Sequence, residues 1–293
     1  QRLIRIGSVV VNEEIPRKTG FMLEAGSLIH VEIPAPEPST LIPENIPLKV
    51  IYEDENILVI DKPAGLTSHD VVSKVKKILG TRKAGHTGTL DPMATGVLPV
   101  CLDEATKLAQ FLTAENKTYR ATMLLGIETN TQDIEGDVIK KSDRTVSEEE
   151  IRMTLGGLVG KKKQVPPAFS ALKHKGRPLY QYAREGTFPD VAARDVEIYR
   201  LEVLDISYPY VTFETDCSKG TYIRTICSDA GKEMGCGACL SGLRRLRSGF
   251  FTESMVVPLE DGLPEVKKKE LLTKMLAMAE SLPEFTEIKV SEA

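Results

Sequence analysis

The 293-residue chain is 41% hydrophobic and 27% charged, a composition typical of a soluble globular protein. Its longest apolar runs, such as Ile57–Ile60, are far shorter than the roughly 18 residues that a membrane helix needs, and no apolar leader follows Gln1. We therefore expect a cytoplasmic protein. Because the first residue is Gln rather than Met, we also expect that this chain begins inside a longer product. At roughly 150 residues per domain, the length predicts about two domains.

The net charge of −4 is distributed unevenly along the chain. Residues 1–65 carry 6 basic and 10 acidic side chains, residues 66–250 carry 27 and 23, and residues 251–293 carry 5 and 9. The central segment is therefore the only basic one of the three. A bias of this size is compatible with a nucleic-acid partner and equally with an ordinary solvated surface.

Hydrophobic alternation predicts a small β-rich fragment at the start of the chain, with strands at Val9–Val11 and Ile29–Ile33. Closely spaced prolines exclude a helix or a central strand over residues 34–48, which are predicted to form an extended linker. Two further strands are predicted at Leu48–Ile51 and Ile57–Ile60.

From Thr67 onward, apolar residues recur at helical spacing up to Gly80, which predicts a helix that ends there. Ser147 and Glu150 have the spacing of a capping box, which predicts a helix over residues 148–156. The remaining helices are predicted over 104–114, 221–235 and 265–280, and the remaining strands over 117–126, 196–207 and 210–217. This mixture predicts an α/β domain over residues 49–260.

The five cysteines are an odd number in a chain without a leader, which favours reduced thiols over a disulfide framework. Cys236 and Cys239 have the spacing of zinc ligands. A structural zinc site needs two more ligands, usually a second closely spaced pair, and the sequence does not supply one. We therefore expect no metal.

The densest unusual stretch is GHTGTLDPMATGVLP, residues 85–99, which surrounds His86 and Asp91 with glycines, threonines and prolines. So many helix and strand breakers predict a structured loop. An aspartate before a proline is often only a turn former. The stretch alone therefore does not identify a function.

Several motifs, in order, make residues 58–260 similar to the TruB-type tRNA pseudouridine synthases, in which a loop like GHTGTLDP is catalytic. The further matching motifs are DKPAGLTSHDVV from Asp61, NKTYR from Asn116, PPAFSALK from Pro166, LYQYAREG from Leu179 and CSKGTYIRT from Cys217. The resemblance implies an α/β (α+β) pseudouridine synthase fold with a mixed, largely antiparallel sheet and flanking helices. It also implies an isomerase that converts the T-loop uridine at tRNA position 55 to pseudouridine. That reaction has no net redox change and transfers no group away, so no cofactor is expected.

Residues 1–57 resemble instead the tail of an S4 RNA-binding domain and the connector found in RluA-type ribosomal RNA pseudouridine synthases. The chain lacks the His-Arg-Leu-Asp motif of that type, so the chemistry is expected to follow the TruB type. Residues 281–293 resemble the start of a small PUA-like RNA-binding domain. The implied organisation is a partial S4-like fragment over 1–33, a Pro-rich linker over 34–48, a catalytic domain over 49–260, and a C-terminal helix with a truncated PUA-like start over 261–293.

The resemblance implies four catalytic residues. Asp91 is the nucleophile, attacking either C6 of the base or C1′ of the sugar, and Arg224 is its ion-pair partner. Tyr119 lies against the target base and takes part in the late proton removal from C5, while Tyr222 lines the same pocket. By pattern alone, a tyrosine on a strand or on an apolar helix stripe would be expected to pack in the core.

The resemblance also implies RNA contacts. His86 occupies the space left when the uridine is flipped out of the T-arm, and Lys219, Arg244 and Arg245 supply cations for phosphates. Lys62 is grouped with these RNA-binding residues and matches a family lysine that supports the active site. By pattern alone, these residues could equally be a loop histidine bonded to backbone, surface lysines and a solvated strand face.

Two positions depart from the family pattern: Asn130 stands where aspartate is common, and Cys239 where histidine is usual. The expected partner is tRNA, bound through its T-arm stem-loop. A monomer and no membrane partner are expected. The sequence leaves two alternative functions open, a ribosomal RNA uridine pseudouridine synthase and a catalytically silent tRNA-folding chaperone.

Overall fold

The computed structural model describes residues 9–15, 26–31, 55–259 and 264–277, which belong to two structural units. The smaller unit contains the antiparallel strands β1 (Val9–Val11) and β2 (Ile29–Val31). This pairing confirms the predicted β-rich fragment, whose likeness to an S4 tail stays a prediction. The predicted linker over 34–48, the strand Leu48–Ile51 and the segment 281–293 lie outside the described residues.

The larger unit is built on an extended sheet with helices on its faces. In its described part the strands are β3 (Glu55–Lys62), β4 (Ala84–His86), β5 (Thr95–Leu102), β6 (Lys117–Leu125), β7 (Ile127–Thr129), β8 (Val138–Lys141), β9 (Gly160–Gln164), β10 (Lys173–His174), β11 (Arg177–Pro178), β12 (Arg194–Ser207), β13 (Tyr210–Cys217), β14 (Ala238–Ser248), β15 (Phe251–Thr252), β16 (Val257–Pro258) and β17 (Leu276–Ala277). The α-helices are α1 (Ser68–Leu79), α2 (Ala109–Ala114), α3 (Glu148–Gly156), α4 (Leu179–Arg184), α5 (Ile223–Glu233) and α6 (Pro264–Thr273).

The strands of the main sheet run in the order β16-β3-β5-β14-β6-β13-β12-β9. The pairs β16–β3 and β14–β5 are parallel, and the other neighbours along this path are antiparallel. Strands β4, β15 and β17 pair with β5, β14 and β3 beside the main path. The mixed, largely antiparallel sheet confirms the predicted fold class.

Helix α1 shows how local sequence sets an element's ends. Thr67 Oγ1 accepts a hydrogen bond from the Asp70 amide at 3.1 Å, and the Asp70 carboxylate accepts one from the Thr67 amide at 2.9 Å. These reciprocal bonds form a capping box. At the other end Gly80 takes the left-handed conformation, with φ of 73°. The helix predicted between Thr67 and Gly80 is thus confirmed.

Apolar side chains cover both faces of the sheet near β3. Leu58 and Ile60 belong to a buried cluster with side chains of α1, α3 and α5. The alternate residues Ile57 and Val59 belong to a second cluster that includes Leu112 of α2. Because successive strand residues point to opposite faces, β3 is buried on both sides. Its continuous apolar sequence follows from this double burial.

The structure corrects three predicted elements. The helix predicted over 104–114 is a 3₁₀ turn at Asp103–Lys107 followed by α2. The helix predicted over 265–280 ends at Thr273, because the chain then pairs with β3 as β17. The stretch 85–99 is a loop only between β4 and β5. Gly96 permits the start of β5, since a Cβ there would lie 2.2 Å from the Arg245 carbonyl oxygen.

No helix in the described part of the chain is long and apolar enough to cross a membrane.

Candidate active site

A cavity of about 570 Å³ opens where the loop between β4 and β5 meets the start of α5 and the strands β6 and β14. It brings together all four predicted catalytic residues: Asp91, Tyr119, Tyr222 and Arg224. Its principal lining segments are Gly88–Asp91, Lys117 with Tyr119, Ser170–Ala171, Ser218–Arg224, and Leu243 with Arg245. A volume of this size is typical of a site that encloses a small organic group.

Asp91 is fixed by a two-point ion pair with Arg224. The guanidinium Nε lies 3.0 Å from one carboxylate oxygen and Nη2 lies 3.2 Å from the other. Arg224 is only 4% exposed, whereas 30% of the Asp91 side chain remains accessible. The pair therefore aims a carboxylate at the cavity and keeps its cation beneath it.

Arg224 also joins two other segments to the site. Its Nη1 donates to the Thr131 carbonyl at 3.0 Å and lies 3.3 Å from the Asp133 carboxylate. Its Nη2 donates to the Phe169 carbonyl at 2.8 Å. One guanidinium thus fixes the positions of three chain segments that are distant in sequence.

Opposing influences act on the ionisation of Asp91. Burial raises the pKa of its carboxyl group, the Arg224 cation lowers it, the Asp133 carboxylate raises it again, and the Lys62 ammonium lowers it. The direction that results is a raised pKa, because burial is the largest influence. Arg224 therefore opposes the effect of burial and favours the ionised form of the carboxylate.

Lys62 holds the loop that carries Asp91. Its ammonium donates to the carbonyls of Pro63, Pro92 and Ala94 at 2.9, 3.0 and 2.6 Å. The side chain is fully buried, and burial lowers its pKa to about 8. This geometry does not favour the predicted RNA contact of Lys62, because two of its hydrogen bonds go to this loop and the third goes to the adjacent Pro63 carbonyl. These hydrogen bonds agree with the other role that the resemblance implied for Lys62, which is to support the active site.

The start of α1 holds the same loop from another side. Ser68 Oγ accepts a hydrogen bond from the Leu90 amide at 2.9 Å and lies 3.2 Å from the Leu90 carbonyl oxygen. The Gly65 amide donates to the Pro92 carbonyl at 2.9 Å. The backbone on both sides of Asp91 is therefore anchored, which fixes the direction of its side chain.

The two predicted tyrosines occupy different positions in the cavity wall. Tyr119 projects from β6 and is buried, and burial raises the pKa of its phenol. Tyr222 immediately precedes α5, where its amide donates to Gln164 Oε1 at 2.7 Å and its carbonyl accepts from Gln164 Nε2 at 3.1 Å. Gln164 thus fixes the backbone at Tyr222, so Tyr222 lines the cavity from the helix start.

Arg244 and Arg245 of β14, which were predicted to bind phosphates, have hydrogen-bond partners within the protein. Arg245 is 1% exposed and donates to the carbonyls of Val97 at 2.6 Å and Gly88 at 3.2 Å. Arg244 donates to both carboxylate oxygens of Asp61 at 3.1 Å, and to Glu253 at 2.6 Å. These contacts favour a structural role over the predicted RNA contact: Arg245 is buried within the wall of the cavity, and two carboxylates neutralise Arg244.

Lys219 and His86 are the other two residues that were predicted to contact RNA. Lys219 is exposed in the loop before α5 and lines the cavity, a position open to a phosphate. His86 ends β4 outside the cavity lining; its Nδ1 is buried without a hydrogen-bond partner among the described residues. Burial, reinforced by the nearby Arg245 cation, lowers the pKa of His86. The imidazole is therefore neutral near pH 7.

Sequence reasoning missed several residues that build the site. Asp133 is not among the site residues predicted from the sequence, yet it is the second carboxylate on Arg224. Asn130 instead closes its own turn through Asp137, whose amide donates to Asn130 Oδ1 at 2.9 Å. The buried Lys117 lines the cavity and donates to the Thr113 carbonyl at 2.8 Å. The NKTYR motif carried the only sequence signal for Lys117.

Cys236 and Cys239 are buried free thiols, and Cys236 Sγ donates to the Gly237 carbonyl at 3.3 Å. Within the ranges that the structure describes, no group of three or more potential metal ligands comes together. Burial raises the pKa of both thiols, so neither is a ready thiolate.

The fold is similar to that of several solved structures. The chain resembles a structure titled "Structure of H/ACA RNP bound to a substrate RNA containing 2'-deoxyuridine", with a TM-score of 0.59 and 32% identity over 78% of this chain and 60% of that one. It also resembles the "Crystal Structure of a Cbf5-Nop10-Gar1 Complex", with a TM-score of 0.59 and 33% identity over 78% of this chain and 61% of that one. The chain thus spans about three fifths of the length of these structural relatives.

The family models that match this sequence define its class as a pseudouridine synthase, an isomerase. The model of the "TruB family pseudouridylate synthase (N terminal domain)" matches residues 76–223, and that of the "tRNA pseudouridylate synthase B C-terminal domain" matches residues 224–282. The chain belongs to the TruB family.

Curated relatives share a large part of this sequence. The tRNA pseudouridine synthase B of Syntrophus aciditrophicus (strain SB) is 51% identical over 238 residues, 81% of this chain and 76% of that protein. The protein of the same name from Alkaliphilus oremlandii (strain OhILAs) is 49% identical over 205 residues, 70% of this chain and 69% of that protein.

Proposed function

We propose that this protein converts the uridine at position 55, in the T-loop of tRNA, to pseudouridine, with Asp91 as the nucleophile. The observation that carries the proposal is the Asp91 carboxylate, held by Arg224 at 3.0 and 3.2 Å and accessible from a cavity lined by Tyr119 and Tyr222. Relatives named tRNA pseudouridine synthase B support tRNA as the substrate.

The reaction breaks the N1–C1′ bond, rotates the base and forms a C5–C1′ bond. The proton on C5 is lost and N1 gains one, so the sum is an isomerisation. Asp91 supplies the electron pair for the covalent attack on the nucleotide, and Arg224 keeps that carboxylate ionised. Tyr119 packs against the base and takes part in removing the C5 proton.

A base that lies inside a folded T-arm reaches this carboxylate only after it is flipped out of the stack. Lys219 at the cavity wall is placed to attract a flanking phosphate, and His86 is proposed to fill the vacated space in the RNA. Because one chain supplies all four catalytic groups, we propose that the monomer is the active form.

The proposal is tested by incubating the protein with a T-arm stem-loop and, in parallel, with ribosomal RNA transcripts, and mapping pseudouridine in both. We expect conversion at the T-loop uridine and little elsewhere. Preferential conversion of the ribosomal transcripts would show that ribosomal RNA, and not tRNA, is the substrate. Refolding of the T-arm without pseudouridine would favour an RNA chaperone.

A further inference from the structure

We propose that the Ser170 hydroxyl is a base-recognition group, which hydrogen-bonds a ring atom of the flipped uracil during the reaction. This inference rests on the proposed function. It adds a residue to which neither the sequence motifs nor the ion pair at Asp91 had assigned a role.

The first observation is an unpaired hydroxyl on a residue that lines the cavity. Ser170 is 5% exposed, and its Oγ is buried without a hydrogen-bond partner among the described residues. The residue nevertheless lines the same cavity as Asp91 and Tyr222. Leaving a buried hydroxyl unpaired costs free energy, so such groups are uncommon unless a ligand or water completes them.

The second observation is that hydrogen bonds fix the backbone at Ser170, and one of them comes from the arginine that binds the nucleophile Asp91. The preceding carbonyl, that of Phe169, accepts a hydrogen bond at 2.8 Å from Nη2 of Arg224, the same nitrogen that binds Asp91. The Ser170 carbonyl accepts one from the Tyr180 amide at 3.0 Å. Arg224 therefore sets the position of the backbone at Ser170 relative to the carboxylate. A side chain fixed in this way suits recognition of a ligand better than adaptable packing.

The third element is the chemistry of the ligand. Uracil presents two carbonyl oxygens and one N–H on its ring, and a serine hydroxyl can both donate and accept. One hydrogen bond to the base would satisfy Ser170 and help to hold the ring after its bond to C1′ is broken.

The experiment begins with Ser170→Ala in the full chain, assayed for kcat/KM on a T-arm stem-loop. We expect a loss of about 3- to 10-fold, the usual range for one neutral hydrogen bond. The melting temperature should stay the same or rise, because alanine removes an unpaired buried hydroxyl. Ser248→Ala is the matched control: Ser248 Oγ is also buried without a partner among the described residues, but it does not line the cavity. That variant should keep wild-type kcat/KM.

Substrate analogues then separate a bond to the base from an indirect effect. The target uridine is replaced by 2-thiouridine, 4-thiouridine or N3-methyluridine, and each is assayed with wild type and Ser170→Ala. We expect one analogue to slow the wild type markedly but to add little further loss in the variant. Additive losses for all three analogues, or wild-type kcat/KM in Ser170→Ala, would overturn the inference. A wild-type protein that forms no pseudouridine would instead refute the proposed function.

Discussion

Arg224→Lys keeps a positive charge near Asp91 but removes the planar fork that holds both carboxylate oxygens. In the native site the fork supplies Nε to one oxygen at 3.0 Å and Nη2 to the other at 3.2 Å, while also binding the carbonyls of Thr131 and Phe169. An ammonium presents its donors from a single atom and cannot span these partners. The variant is therefore a direct test of whether geometry, beyond charge, activates Asp91.

The expected size of the effect follows from the hydrogen bonds that lysine cannot replace. A lysine that keeps one bond to Asp91 still lacks at least one charge-assisted hydrogen bond of the native pair, worth about 1.5–3 kcal/mol. If this is expressed fully in the transition state, kcat/KM falls by about 10- to 150-fold. The assay is pseudouridine formation in a T-arm stem-loop under single-turnover and steady-state conditions.

The pH profile adds a second readout. The acid limb of kcat/KM reports the ionisation of Asp91 in the free enzyme. Burial raises the pKa of Asp91 and Arg224 lowers it, so Arg224→Gln removes the main opposing cation and moves the acid limb to higher pH. Wild-type kcat/KM in Arg224→Lys, or an acid limb that moves to lower pH in Arg224→Gln, would refute this reasoning.

Three other substitutions test the surroundings of Asp91. Asp133→Asn removes the carboxylate that raises the pKa of Asp91, so the acid limb of its pH profile should move to lower pH; a shift to higher pH would contradict this. Lys62→Met leaves the Pro63 and Ala94 carbonyls without their donor at about 1–3 kcal/mol each, while the Pro92 carbonyl keeps the Gly65 amide. Urea titration should therefore show a loss of at least about 2 kcal/mol in the free energy of unfolding, and an unchanged midpoint would count against it. Lys219→Ala should weaken RNA binding and reduce the slope of log K against log salt by about 0.7 to 0.9, and an unchanged slope would exclude a phosphate contact.

The features that the sequence predicted well depend on local chemistry. The bounds of α1 follow from Thr67, Asp70 and Gly80, which satisfy or end the helix within its own turns. The strand β13 likewise follows from alternation within a single segment. The resemblance of whole motifs predicted that Asp91 and Arg224 would meet, although 133 positions separate them.

The features that the sequence did not predict depend on hydrogen-bond partners that lie far away in the chain. Arg244 and Arg245 form one cationic run in the sequence, but successive strand residues point to opposite faces. The partner of Arg244 is Asp61, 183 positions away, and that of Arg245 is the Val97 carbonyl, 148 positions away. Burial of Lys62 depends in the same way on a loop 30 residues further on. Side-chain composition alone carries no signal for such pairings.

The role of Asp91 is tested most directly by pseudouridine formation in a T-arm stem-loop treated with Asp91→Asn. Asparagine keeps the shape of the side chain but cannot supply a carboxylate. We predict no pseudouridine above background while RNA binding stays measurable, and wild-type activity in Asp205→Asn, which alters an exposed carboxylate of β12. Appreciable turnover by Asp91→Asn would contradict the assignment of Asp91 as the nucleophile.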